Sequence, residues 1–245
     1  FLVLGGLAFG GWKLLNGLKS VQTTQNQIPS DTNQKVNPEQ RLLANSLTNE
    51  NQSVPIVSGG SAGSSQANST SLDPVVEAQV RKEIKKPTGE LTDNDLKKVT
   101  KLELWPKKTL TVFPEGIEKL INLEYLDLEG NNLTSTDGIE QLSGLKKLKA
   151  LSLNQNKLTS VRGLENLTSL KSLTLFGNEL TSVIELQGLE DLHTLALGSN
   201  KLTSLDGLKK LTSLKRLGLG NNKLASLDGL ENLVNLESLI LGDSG

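Results

Sequence analysis

LKALSLNQNKLTSVRGLENLTS at 148–169 decides the fold, because it returns as LKSLTLFGNELTSVIELQGLED at 170–191, LHTLALGSNKLTSLDGLKKLTS at 192–213 and LKRLGLGNNKLASLDGLENLVN at 214–235. A fixed period of this length is the signature of stacked coils. Take Leu148 as position 1. Leu151 and Leu153 fall at positions 4 and 6, with polar residues between them. That alternation marks a short, half-buried strand. Leu158, Val161, Leu164 and Leu167 then recur every three residues, a spacing that suits a 3₁₀ or loose helical turn. Each coil is thus a strand, a turn and a compact return segment. A single coil buries too little apolar surface to offset the ordering of its backbone, so coils must stack on one another. All coils run in the same sense, so their strands pair in parallel.

Two polar columns fix the register. Asn131, Asn156, Asn178, Asn200 and Asn222 all fall at position 9. A buried amide there would bond backbone groups of adjacent turns, so these residues are read as a structural ladder rather than a site of chemistry. Gly138, Gly163, Gly207 and Gly229 at position 16 mark a backbone turn, and IELQG at 184–188 breaks that signature.

These coils, with their TSLDGLxxLTS return, resemble the internalin-like class of bacterial leucine-rich repeat proteins. KKPTGELTDNDLKKVTKLEL at 85–104 is similar to the helical N-terminal cap of such proteins. The expected fold is therefore an α/β solenoid: a right-handed leucine-rich repeat superhelix with a parallel concave sheet, a 3₁₀ and loop convex side, and a helical N-terminal cap. The resemblance covers about 73–245 and is specific for fold. It says little about the partner, because the class recognises many.

In chain order, Phe1–Trp12 is uncharged and KLLNGL extends the apolar character to Leu18. Twelve helical residues reach about 18 Å, short of a bilayer's roughly 30 Å core. Residues 1–19 are read as a truncated transmembrane helix or a signal segment cleaved near Ala8–Gly10, with a buried core helix as the third reading. Lys13 and Lys19 favour a cytoplasmic flank, but the upstream flank is not seen. Residues 20–72 have linker composition and are expected to be disordered. Asp73 and Pro74 start a helix whose Val76, Val80 and Ile84 form an apolar stripe, and Thr92 caps a second short helix. Residues 73–98 form the cap, and 99–245 hold six coils and a truncated seventh. The first coil is irregular, with WPKK in place of the Asn turn. The second gains an extra three-residue turn at SGLKKL. With no Met and a last coil cut at Gly245, the chain reads as a fragment.

Chemistry is sparse. The net charge is −1 and there is no Cys. That argues against a nucleic-acid partner and excludes thiol chemistry and Cys–zinc sites. His193 is the only histidine and lacks the partner a general base needs. GLGNNK at 218–223 lacks the ending of a phosphate loop, and Asp137, Asp206 and Asp228 are turn formers. The expectation is no enzyme, no metal, no cofactor and no small-molecule substrate.

The outward strand positions remain. Position 3 reads Lys101, Tyr125, Ala150, Ser172, Thr194, Arg216, Ser238. Position 5 reads Glu103, Asp127, Ser152, Thr174, Ala196, Gly218, Ile240. Position 7 reads Trp105, Glu129, Asn154, Phe176, Gly198, Gly220, Gly242. Trp105, Tyr125 and Phe176 gather three scarce aromatics on one face, expected to be exposed, and aromatics anchor interfaces. Glu103, Asp127 and Glu129 make its N-terminal end acidic. The candidate partner surface is Trp105, Tyr125, Asp127, Glu129, Phe176 and Arg216. The expected function is a protein-binding module, membrane-anchored through residues 1–18 with extracytoplasmic repeats, or secreted if residues 1–10 are a cleaved signal. The alternative is the targeting arm of a larger enzyme or receptor.

Overall fold

The structure is a computed structural model that describes residues 20–21, 72–105 and 109–242. The readings of residues 1–19 and of nearly all of 22–71 as membrane or signal segment and linker lie outside the described residues. Among those that are described, no helix is long and apolar enough to cross a membrane.

The chain enters through two short helices. In α1, Pro74–Glu83, the Asp73 carboxylate accepts the Val75 N–H at 2.8 Å, and Pro occupies the first turn. Val76 and Val80 are buried, and the helix packs against the first strand of the repeats. Lys85 takes a left-handed conformation just past the helix end. In α2, Asp93–Leu96, Thr92 and Asp95 close a reciprocal capping box. Asp95 also receives Lys86 at 2.7 Å and Lys98 at 2.9 Å. Those two lysines hold its carboxyl well below the usual carboxylate range. Lys86, just past the end of α1, thereby ties the two helices together.

Seven three-residue strands follow: β2 Lys101–Glu103, β3 Tyr125–Asp127, β4 Ala150–Ser152, β5 Ser172–Thr174, β6 Thr194–Ala196, β7 Arg216–Gly218 and β8 Ser238–Ile240. They pair in parallel in chain order. The backbone of β1, Ser20–Val21, lies parallel to β8, with Ser20 beside Ser238. The register aligns Leu102, Leu126, Leu151, Leu173, Leu195, Leu217 and Leu239 in one row. All seven are essentially inaccessible. The inward row is the spine of one continuous core that runs from Val76 in α1 to Leu239. The fold is a leucine-rich repeat solenoid, as the period requires.

The return segments are 3₁₀ turns at Ile117–Lys119, Ile139–Gly144, Leu164–Asn166, Ile184–Gly188 and Asp206–Leu208. The longest, Ile139–Gly144, absorbs the extra residues of the second coil. Position 16 turns out to hold two kinds of glycine. Gly138, Gly163 and Gly229 adopt left-handed backbone at φ 88°, 92° and 107°, where a Cβ is strained. Gly207 does not. It sits inside its 3₁₀ turn, where a Cβ would overlap the Val183 carbonyl and lie 2.8 Å from Ile184 Cα. Glycine is needed there for close backbone approach.

The Asn column carries the stack between strands and returns. Asn156 Nδ2 donates to the carbonyls of Leu153 and Asn154 in its own coil and of Leu128 in the coil before, while its Oδ1 accepts the Leu133 N–H at 3.0 Å. Asn131, Asn178, Asn200 and Asn222 repeat this pattern. Backbone groups at each bend are therefore paired across coils rather than left dry.

Candidate functional site

Two of the three outward columns are register partners across the sheet, and the position 7 column lies just past the strand ends. Lys101, Tyr125, Ala150, Ser172, Thr194, Arg216 and Ser238 stand side by side, as do Glu103, Asp127, Ser152, Thr174, Ala196, Gly218 and Ile240. The exposure expected of them needs correction. Trp105 is open, at 41% exposure, and Phe176 and Arg216 are half-buried. Tyr125, Asp127 and Glu129 are buried.

Neighbouring side chains account for much of this. The Lys101 ammonium lies 5.4 Å from the centre of the Tyr125 ring, a cation–π distance. It also pairs with Glu103 at 2.7 Å. Tyr125 packs against Ala150, and its hydroxyl donates to Asp127 Oδ2 at 3.0 Å. Asp127 Oδ1 accepts the Glu129 N–H at 2.9 Å. Asn154 links the next two strands: its Oδ1 accepts the Phe176 N–H at 2.9 Å, and its Nδ2 faces Glu129 Oε2 at 3.4 Å. The Phe176 ring leans over Gly198, where a Cβ would meet it at 3.1 Å. Small residues in the C-terminal half thus let the aromatic lie down on the sheet. At that end, Arg216 Nε donates to Thr194 Oγ1 at 3.3 Å.

The candidate residues therefore fall at three places along the ribbon. Trp105, Tyr125, Asp127 and Glu129 gather at the N-terminal end of the ribbon, Phe176 lies at its middle, and Arg216 stands apart toward the C-terminal end. Burial pushes the Asp127 carboxyl up, against the pull of the Glu129 N–H and the Tyr125 hydroxyl. Burial also raises Glu129, and the Asp127 charge adds to it. Glu103 is neutralised by Lys101. Among the described residues neither Asp127 nor Glu129 has an ion-pair partner.

The middle of the ribbon holds residues that were not singled out from the sequence. Ser152, Ser172 and Thr174 are fully buried; the Ser152 hydroxyl is held by the Asp127 carboxylate, while those of Ser172 and Thr174 close no hydrogen bond among the described residues. Buried polar groups are normally paired, so two such hydroxyls on one strand face are unusual. The signal was present in the outward columns, which place hydroxyls on adjacent strands, but those columns carry no information on burial. His193 lies beside the sheet, and its carbonyl accepts the Lys215 and Arg216 N–H groups. Among the described residues no group of three His, Cys, Asp or Glu is placed to hold a metal ion.

Against known proteins, the family described as "Leucine Rich repeats (2 copies)" matches residues 121–166 and 168–210. No curated protein matches the chain in sequence. Among solved structures, an internalin C2 from Listeria monocytogenes is 27% identical with a TM-score of 0.54, over 71% of this chain and 87% of that one. An internalin, InlF, from the same species is 21% identical over 69% and 82%, with a TM-score of 0.34, too loose a likeness to carry weight. Repeats of this kind are in general a protein-interaction fold rather than a catalytic one. The repeat period, the parallel leucine-lined sheet and the internalin C2 likeness together identify a leucine-rich repeat protein similar to the bacterial internalins.

Proposed function

We propose that the chain is a non-enzymatic protein-binding module, exported or anchored at a bacterial membrane, that takes a protein partner on its concave strand ribbon. The observation that carries this is the placing of Trp105, 41% exposed, and the half-buried Phe176 on that face. Beside them lie the buried hydroxyls of Ser172 and Thr174, which close no hydrogen bond among the described residues and which a bound polypeptide would satisfy once the side chains over them part. Trp105 and Phe176 frame the same stretch in the position 7 column and provide apolar anchors. The membrane or export part rests on the apolar composition of residues 1–18 and on the internalin likeness.

The test is recovery of partners from cell extracts on the immobilised full chain. Trp105→Ala with Phe176→Ala is expected to reduce recovery of a specific partner at least tenfold. Val112→Ala with Val234→Ala, both at exposed apolar residues elsewhere on the surface, should leave recovery unchanged. Loss with the second pair and not with the first would move the binding surface off the ribbon.

A further inference from the structure

We propose that the segment around Ser20–Val21 is a detached half coil, and that it docks on the outer edge of β8 as a parallel strand supplied by the same chain.

The backbone gives the first observation. β8 stands between β7 and β1, so the strand on its outer side comes from far back in the sequence rather than from a neighbouring coil. Ser20 pairs with Ser238 and Val21 with Leu239. One strand inward, Arg216 pairs with the same Ser238 and Leu217 with the same Leu239. Ser20 therefore stands where the position 3 residue of a following coil would stand, and Val21 falls in the register row of the position 4 leucines. Along the ladder the position 2 carbonyl of one coil accepts the position 3 N–H of the next: Lys149 from Ser172, Lys171 from Thr194, His193 from Arg216 and Lys215 from Ser238. Glu237 is the position 2 residue of the coil that β1 joins.

The sequence gives the second observation independently. LKSVQTTQNQI at 18–28 lies along LKALSLNQNKL at 148–158 without a gap. Leu18, Val21, Asn26 and Ile28 fall at positions 1, 4, 9 and 11 of the repeat, and Lys19 repeats the lysine of position 2. This alignment makes Ser20 a position 3 residue, the same position as its register partner Ser238. A slip of one residue in the pairing would break that agreement and move Val21 out of the leucine row. Beyond Ile28 the likeness stops, with Asp31 where position 14 needs an apolar residue. Thr23 also replaces the leucine of position 6. Only the strand and the Asn turn are copied, so the contact is weaker than that of a full coil.

The connection is long enough. β1 and β2 lie at opposite ends of the sheet, about 34 Å apart at the usual strand spacing. Residues 22–71 could span more than about 150 Å if extended. The added strand covers main-chain groups of β8 that would otherwise be a template for pairing with another molecule. Taken with the proposed anchor at residues 1–18, it also puts the C-terminal coil at the anchored end and Trp105 at the far end of the ribbon. That orientation rests on the anchor reading; the docking does not.

The chain has no cysteine, so paired substitutions report proximity without background. Register partners on neighbouring strands lie about 4.8 Å apart, inside the Cα range of a disulfide. In the full chain, Ser20→Cys with Ser238→Cys is expected to close a disulfide within one molecule under mild oxidation, read by mass spectrometry of linked peptides. Closure should be at least about tenfold faster than for Ser20→Cys with Thr203→Cys, whose second thiol is at an exposed residue off the sheet. Adding Val21→Asp to the first pair should remove most of that advantage, because it puts a charge in the leucine row. Equal rates for the two pairs would show only chance encounters along a tether and would overturn the proposal. So would closure unchanged by Val21→Asp, or links formed only between molecules, which would give the β8 edge to a second copy. No partner enters this experiment, so its failure leaves the concave-face reading standing.

Discussion

Asn178→Leu is expected to destabilise the chain by about 4 kcal/mol, although the two side chains have the same heavy-atom count and the same branching at Cγ. The amide makes four contacts, and they are not equivalent. Nδ2 serves the Leu153, Leu175 and Phe176 carbonyls. Each of these keeps a second donor: Asn156 on Leu153, Asn200 on Leu175 and the Gln155 N–H on Phe176. The Leu158 N–H has no such reserve, because its acceptor is Asn178 Oδ1 at 3.0 Å. The substitution therefore orphans one buried donor, costing about 1–3 kcal/mol, and removes three weaker contributions. Chemical denaturation followed by circular dichroism measures the loss. A change below about 1 kcal/mol would mean the column is ornamental.

Gly207→Ala is the second large effect, expected to cost about 3 kcal/mol or more. Backbone dihedrals do not explain it, since Gly207 is absent from the left-handed set. The cost comes from the added methyl overlapping the Val183 carbonyl of the preceding coil, a backbone group that can yield only if the two return segments part. Gly144→Ala is the matched comparison: a Cβ there meets nothing within 4 Å. It should be neutral or stabilise by about 0.5 kcal/mol through the unfolded chain. Equal midpoints for the two variants in thermal unfolding would contradict the close packing of Val183 on Gly207.

These two sites show where sequence reasoning succeeded and where it stopped. The fold was legible because it rests on periodicity. Leu126, Leu151, Leu173 and Leu195 occupy the same position, and stacking leaves only one way to bury them. The roles of the position 16 glycines were not legible. Gly163 and Gly207 share a letter and a position, but one serves a left-handed turn and the other a close contact. The difference begins in the coil that carries Ile184 in place of the usual Asp-Gly turn, and it is felt one coil later. The outward columns were readable as a list of neighbours. Their burial was not, because it depends on which neighbour leans over which: Lys101 over Tyr125, Tyr125 against Ala150, Phe176 over Gly198. The buried hydroxyls of Ser152, Ser172 and Thr174 follow the same logic. A strand pattern marks them as outward and cannot say that they are dry.

The most direct measurement of coil interdependence is native-state hydrogen exchange at four amides. The N–H groups of Leu133, Leu158, Leu180 and Leu202 each donate to the Asn Oδ1 of the following coil. If the coils stand only as a stack, all four exchange slowly and at rates within about tenfold of one another, since opening any one requires parting neighbours. Four unrelated rates, or any of the four exchanging as fast as an unstructured amide, would show coils that open independently and would contradict the solenoid as a single cooperative support for the binding ribbon.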